Sequence, residues 1–164
     1  MLEGGLGHNT LNGGGGGGAT GIASYEHAAS GVTVDLNVTT EQTVAPGMFD
    51  TLVNIQDIYG SAHDDTIIGN SASNYFLGNG GADTFRFNVN MGFDGIGDFV
   101  TGQDKIDLNF SAPFTDEVSF QAWAAGHVTA QTGSTMITFD ASDSIFLLNV
   151  NKANLHASDF IVHS

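Results

Sequence analysis

Residues 60–86 fall into three blocks of nine: GSAHDDTII, GNSASNYFL and GNGGADTFR. Each block opens on a glycine (Gly60, Gly69, Gly78). Each carries Asp65, Asn74 or Asp83 at its sixth place and Ile67, Phe76 or Phe85 at its eighth. A period of nine does not suit an α-helix. It suits a short strand followed by a tight turn, and repeats of this kind stack into a solenoid. Two units return the chain to its starting side, so one coil takes 18 residues. The eighth-place residues then point inward and stack into a core, while the glycine-rich halves turn the chain. Turns one coil apart lie on the same edge, about 4.8 Å from each other.

That geometry gives the acids a meaning. Asp65 and Asp83 are 18 residues apart, so their carboxylates share an edge and face each other across adjacent turns. Alone they repel. A Ca²⁺ between them, at about 2.3–2.6 Å from each oxygen, would pin the two coils together. Turn carbonyls from Ser61 to His63 and from Asn79 to Gly81 would complete its shell. The candidate metal-binding set is therefore Asp65, Asp83, Ser61, His63, Asn79 and Gly81. Asn74 lies on the opposite edge, where the residues 18 away, Gln56 and Gly92, carry no charge. Asn still forms the turn, but that edge reads as a poor cation site. Asp64 reads as solvated, and Asp94, Asp98, Asp104 and Asp107 read as turn caps, with a second ion site as the less favoured alternative.

The charge balance points the same way. Eighteen acidic and three basic side chains give the 164 residues a net charge of −15. Nucleic-acid binding needs a basic footprint and is excluded as a function. Compaction of so acidic a chain is helped by counter-ions, and hard, oxygen-preferring cations are the natural ones. With 41% hydrophobic residues the chain can still build a core. There is no cysteine, hence no disulfide or thiolate metal site. No apolar run reaches the ~18 residues a membrane span needs. The opening MLEGGLGHNTL lacks the basic and apolar regions of a signal peptide and starts inside another repeat-like block. It reads as part of a longer chain, or as one with an added Met.

Three regions follow. Residues 1–59 form a degenerate glycine-rich repeat and strand or loop segment, residues 60–92 the nonapeptide repeats, and residues 93–164 a β-rich cap. In the first region, GGLGHNTLN (4–12) is a further block with Asn9 at the sixth place. The run Gly13–Gly18 reads as a decayed repeat rather than a linker, with Gly21 where an acid would stand. GVTVDLNVT (31–39) reads as a strand and EQTVAPGMF (41–49) as a loop. In the last region, 127–140 reads as a hairpin around Thr132-Gly133-Ser134, and SIFLLNV (144–150) as a buried strand. The tail reads as a short helical turn before a last strand. EVSFQAWAAGH (117–127) is compatible with helix or strand.

The nonapeptides resemble the calcium-binding GGxGxDxUx repeat of RTX (repeats-in-toxin) proteins. GNGGADTFR keeps Gly78, Gly81, Asp83 and Phe85, and GSAHDDTII keeps Gly60, Asp65 and Ile67. ADTFRF followed by IGDFVTGQDKIDL resembles the segment that closes the repeats in serralysin-type secreted proteases and alginate epimerase modules. The tail, with Asp159-Phe160-Ile161-Val162, resembles that of type I secretion substrates, although His163 and Ser164 follow it. The resemblance implies an all-β fold: a parallel β-roll (β-solenoid) continuing into a β-sandwich-like C-terminal part. It implies a bacterial, secreted, extracellular protein, exported through the type I machinery and folded outside by Ca²⁺, with a functional domain of the parent protein preceding it. Acids are missing at Asn9, Gly21 and Asn74, so one or two ions are expected rather than a column.

Catalysis finds little support. None of the six histidines stands in an H-E-x-x-H zinc motif, and no G-x-S-x-G elbow occurs. His63 reads as a turn residue. No catalytic residue is assigned, and any enzymatic domain would precede Met1. The alternative is an extracellular polysaccharide- or partner-binding module of a larger secreted enzyme, such as an epimerase or metalloprotease. Three basic residues make a poor groove for an acidic polymer.

Overall fold

The computed structural model of the chain describes residues 1–15, 21–111 and 114–163. Among them, the strands are β1 (Gly7–Asn12), β2 (Gly21–Ser24), β3 (Thr33–Asp35), β4 (Gln42–Ala45), β5 (Met48–Val53), β6 (Ile55–Tyr59), β7 (Thr66–Ile68) and β8 (Tyr75–Leu77). They continue as β9 (Thr84–Phe87), β10 (Phe93–Ile96), β11 (Lys105–Ser111), β12 (Val128–Gln131), β13 (Ser134–Thr138), β14 (Ser144–Leu147) and β15 (Phe160–His163). Helix α1 spans Glu117–His127, and two 3₁₀ turns, Lys152–Asn154 and Ala157–Asp159, precede β15.

From β6 to β11 the strands alternate between two sheets. One sheet runs β12-β13-β14-β10-β8-β6-β2, the other β15-β11-β9-β7-β3. Every pairing from β2 to β10 and from β3 to β11 is parallel, the signature of a coil that climbs one strand per turn. The expected β-roll is therefore the observed fold, and both sheets are continued by later strands, one by β10 and β12–β14, the other by β11 and β15. The repeat strands are rich in Thr, Ile, Tyr and Phe, which suit a pleated, half-buried surface.

Two columns of inward residues form the core. Ala23, Ile58, Phe76, Ile96 and Leu147 stack in the first sheet. Val34, Ile67, Phe85, Ile106 and Phe160 stack in the second. All ten are buried. The rings of Phe76 and Phe85 meet across the sheets at 6.3 Å between centroids. The 18-residue register holds for Ile58 with Phe76 and for Ile67 with Phe85. Elsewhere the chain leaves the coil and returns in register. The largest excursion, between Ile106 and Phe160, holds α1 and the β12–β13 hairpin.

Two local readings change. Residues 41–49, read as a loop, hold β4 and the start of β5, an antiparallel pair. Pro46-Gly47 turns the chain between Ala45 and Met48, and Gly47 has φ +78°, the left-handed value a type II turn requires at its second central position. EVSFQAWAAGH resolves to helix. Asp116 caps it, accepting from Ser119 N, while Ser119 Oγ accepts from the Asp116 N–H. Phe120 and Ala124, four apart, face the core. Of the run Gly13–Gly18, residues 16–18 lie outside the described residues, as do 19 and 20, and Gly21 opens β2.

Candidate metal centre

The turn edge of the second sheet carries the acids the repeat pattern singles out. Asp65 and Asp83 stand two residues before the column residues Ile67 and Phe85, in adjacent coils as expected, and both are buried. Asp104, two residues before Ile106, extends the row. The carboxylates point back along the roll. Asp65 Oδ1 accepts from Val32 N at 2.7 Å, Asp83 Oδ1 from Asp65 N at 2.9 Å, and Asp104 Oδ1 from Asp83 N at 3.0 Å. Each acid thus satisfies a buried backbone donor of the coil before it, where the strand ladder has ended. Within its own turn, Asp65 Oδ2 accepts from Ser61 N at 2.5 Å, and Asp104 Oδ2 from Val100 N.

Burial raises the pKa of Asp65 and Asp104, and that of Asp83 to about 7; nearby Asp65, Asp104 and Asp98 add to the Asp83 shift by repulsion. Backbone hydrogen bonds oppose it. A cation near this row would relieve the repulsion.

The other expected ligands divide. Ser61 joins the acids: its hydroxyl donates to Asp65 Oδ1 at 2.7 Å. His63 is exposed and, with Gly81 and Asp64, lines an open groove of about 410 Å³. Asn79 turns elsewhere; its N–H donates to Asp98 Oδ2 and its side chain to Gly60 O. Gly81 O accepts from the Gln103 side chain. Gly81, at φ +112°, packs so closely that an added Cβ would lie 2.4 Å from the His63 carbonyl carbon. Asp64, read as solvated, is exposed but accepts from Ala82 N.

An ion is therefore accommodated unevenly here. Asp83 Oδ2 has no hydrogen bond among the described residues, so it has room for one. Both oxygens of Asp65 are already engaged. A carboxylate has about four lone-pair positions, so Asp65 retains little beyond its three bonds. Among the described residues no three His, Asp or Glu side chains converge on one point.

The opposite edge departs from the sequence reading. Asn74 does have a charged neighbour: its N–H donates to Asp94 Oδ1 at 2.8 Å, and its side chain donates to Gln56 O. The partner lies 20 residues on rather than 18, because the turn before β10 is two residues longer. Counting nines lands on Gly92 and misses it. Counting back two from each buried column residue finds Asp94 and Asp104 directly, as D-x-I. Asp98 caps Gly78 and Asn79 as expected. Asp107 instead pairs with Arg86 and His163. Of the remaining histidines, His8, His27 and His156 each meet a separate glutamate.

The family model described as the peptidase M10 serralysin C terminal matches residues 26–164. No curated protein sequence matches. Among similar solved structures is the extracellular lipase LipA from Serratia marcescens, at 14% identity and a TM-score of 0.46. That match covers 96% of this chain, which spans about a third (34%) of the lipase.

Proposed function

The chain belongs to the serralysin C-terminal family of M10 peptidases, and from that premise we propose that it is a non-catalytic, calcium-binding module of a bacterial type I secreted protein. Its task is to let the parent chain leave the cell unfolded and fold outside. The observation that carries this reading is the row of buried acids Asp65, Asp83 and Asp104, stacked coil on coil. Such a row is poorly tolerated when charged and is improved by a divalent cation, and an ion that binds only the folded form stabilises it.

Asp83 would hold the ion through its Oδ2, with Asp65, whose oxygens already accept three hydrogen bonds, adding its charge close by and turn carbonyls around Ser61, His63, Asn79 and Gly81 as further donors. Calcium supplies there a compact double positive charge. The residues of the roll do the rest: the core columns set the coil spacing, and the backbone bonds hold the carboxylates in place. Where calcium is scarce, the net charge of −15 keeps the chain expanded. Outside, the tail Asp159–Val162 closes the second sheet through β15.

A calcium titration of chelator-treated protein, followed by circular dichroism and thermal melting, tests the reading. Gain of β-signal and of melting temperature is expected. Full β-structure in EDTA, with no thermal response to calcium, overturns it. Export of a reporter fused ahead of the whole chain, with and without residues 160–164, tests the secretion half.

A further inference from the structure

The outer face of the first sheet carries a feature that the roll itself does not need. Residues paired directly across strands point to the same side. Tyr75, Gly95, Phe146 and Met136 therefore form one row over β8, β10, β14 and β13. Tyr59 and Leu77 pair in the next row of the same face. The side chains of both rows are half-buried, with the sheet beneath them and solvent above. Phe93, two residues before Gly95, is 59% exposed.

Tyr75 lies down on this face. At Gly95 an added Cβ would lie 2.9 Å from Tyr75 Cδ2, and at Gly97 it would collide with the Tyr75 hydroxyl and the Leu77 side chain. Neither glycine has a positive φ, so the backbone requires neither of them. Gly97 N–H donates to Phe76 O and so prolongs the ladder of β10. Glycine in a strand weakens it and marks a place where something approaches closely. Here that is the tyrosine ring, laid over two bare positions of β10, and the result is a flat aromatic surface. Burial raises the pKa of the Tyr75 hydroxyl, and Tyr59, Asp98 and Asp57 raise it further, so the hydroxyl stays a donor. Asp57 Oδ1 accepts from Tyr75 N at 2.9 Å, and Asp98 accepts from Gly78 N and Asn79 N. Both carboxylates keep lone pairs for further donors.

A ligand of this face must offer an apolar side to the rings and hydroxyls to the acids at their rim. Polyanions are repelled by the net charge of −15. A polycation seeks carboxylates, but at this face rings form the centre and the acids are turned to backbone N–H groups. A neutral sugar chain has both parts: C–H faces that stack on aromatic rings, and hydroxyls around their edge. From Tyr75 to Met136 the row runs three strand spacings, about 14 Å, which suits an extended chain better than a single sugar. We propose that the outer face of the first sheet, centred on Tyr75 with Tyr59, Phe93 and Phe146 around it, is a binding platform for a neutral polysaccharide. It adds a ligand to the module and depends on no ion at the turns.

Affinity electrophoresis of the whole chain, in calcium, through gels holding hydroxyethylcellulose, glucomannan or soluble starch tests this. Retardation by at least one of these polymers is expected. It should weaken roughly tenfold in Tyr75→Ala and be largely kept in Tyr75→Phe, which retains the ring. Gly97→Ala, whose methyl displaces the ring, should weaken it too. Retardation by none of the polymers overturns the platform, as does unchanged retardation of Tyr75→Ala or of Gly97→Ala. Retardation by polylysine alone gives the face to a cationic partner and also overturns it. The calcium response in thermal melting is read separately, so the platform and the module reading fail independently. If Tyr75→Ala does not fold, ring-labelled tyrosine in the unaltered chain, titrated with cellohexaose, mannohexaose and maltohexaose, decides. A shift of the Tyr75 ring resonances is expected, and resonances unmoved by all of these sugars overturn the proposal.

Discussion

At the scale of single residues, the recurrent device is a carboxylate that reaches back one coil to a backbone N–H. Its two consequences separate. Asp83→Ala strands the buried Asp65 N–H and should cost about 1–3 kcal/mol, read as a lower urea midpoint. Asp83→Asn keeps an acceptor and removes a charge, so in EDTA it should cost much less, or nothing. The raised pKa values set a pH dependence whose sign is fixed. Between roughly pH 4 and 7 the folded chain holds protons on Asp83 and Asp94 that the unfolded chain has released. Their contribution is complete below the ordinary carboxylate range and is lost as pH rises through about 7. In chelator, the melting temperature should therefore be higher at pH 5 than at pH 8, and calcium should narrow the gap. A melting temperature that rises with pH in chelator counts against the buried row.

At the scale of elements, each coil depends on its inward residue and on the fit of its turns. Phe76 and Phe85 are fully buried and stacked. Phe76→Ala should cost about 3–5 kcal/mol in equilibrium unfolding. Helix α1 is set by its ends more than by its faces. Asp116→Ala removes the cap, at an expected cost of about 1 kcal/mol. Trp123, the sole tryptophan, lies in that helix among Phe114, Phe120 and Phe139, so its fluorescence reports the loss.

At the scale of the molecule, one buried carboxylate ties the end of the chain to the roll. Asp107 on β11 is 1% exposed and accepts from Arg86 Nε on β9, while its other oxygen meets His163 Nε2 at the end of β15, each at 2.7 Å. Arg86→Ala leaves that charge with the histidine alone and should destabilise the fold by roughly 3 kcal/mol, more than His163→Ala does. Denaturation of the two variants in parallel, at pH 7.5, checks the order.

The period, the inward residues Ile67, Phe76 and Phe85, and the shared edge of Asp65 and Asp83 are legible in the residues alone. These follow from local rules, because a tight strand–turn unit of fixed length repeats its own geometry. The sequence also holds acids beyond the repeats, one on each edge, in the D-x-I spacing at Asp94 and Asp104, although counting nines passes over them. What those carboxylates touch is set by the folded arrangement of distant segments. The coil after Phe76 is two residues longer and the next one three, and the last returns after an excursion through α1, so no fixed count predicts Asp94 under Asn74 or Asp143 beside Gly92. Register between distant segments is set by which apolar residues stack in the common core, and the turns absorb the difference in length. That is why the opposite edge, uncharged by the count, holds a buried acid, Asp94, one of whose oxygens is sealed without a hydrogen-bond partner among the described residues.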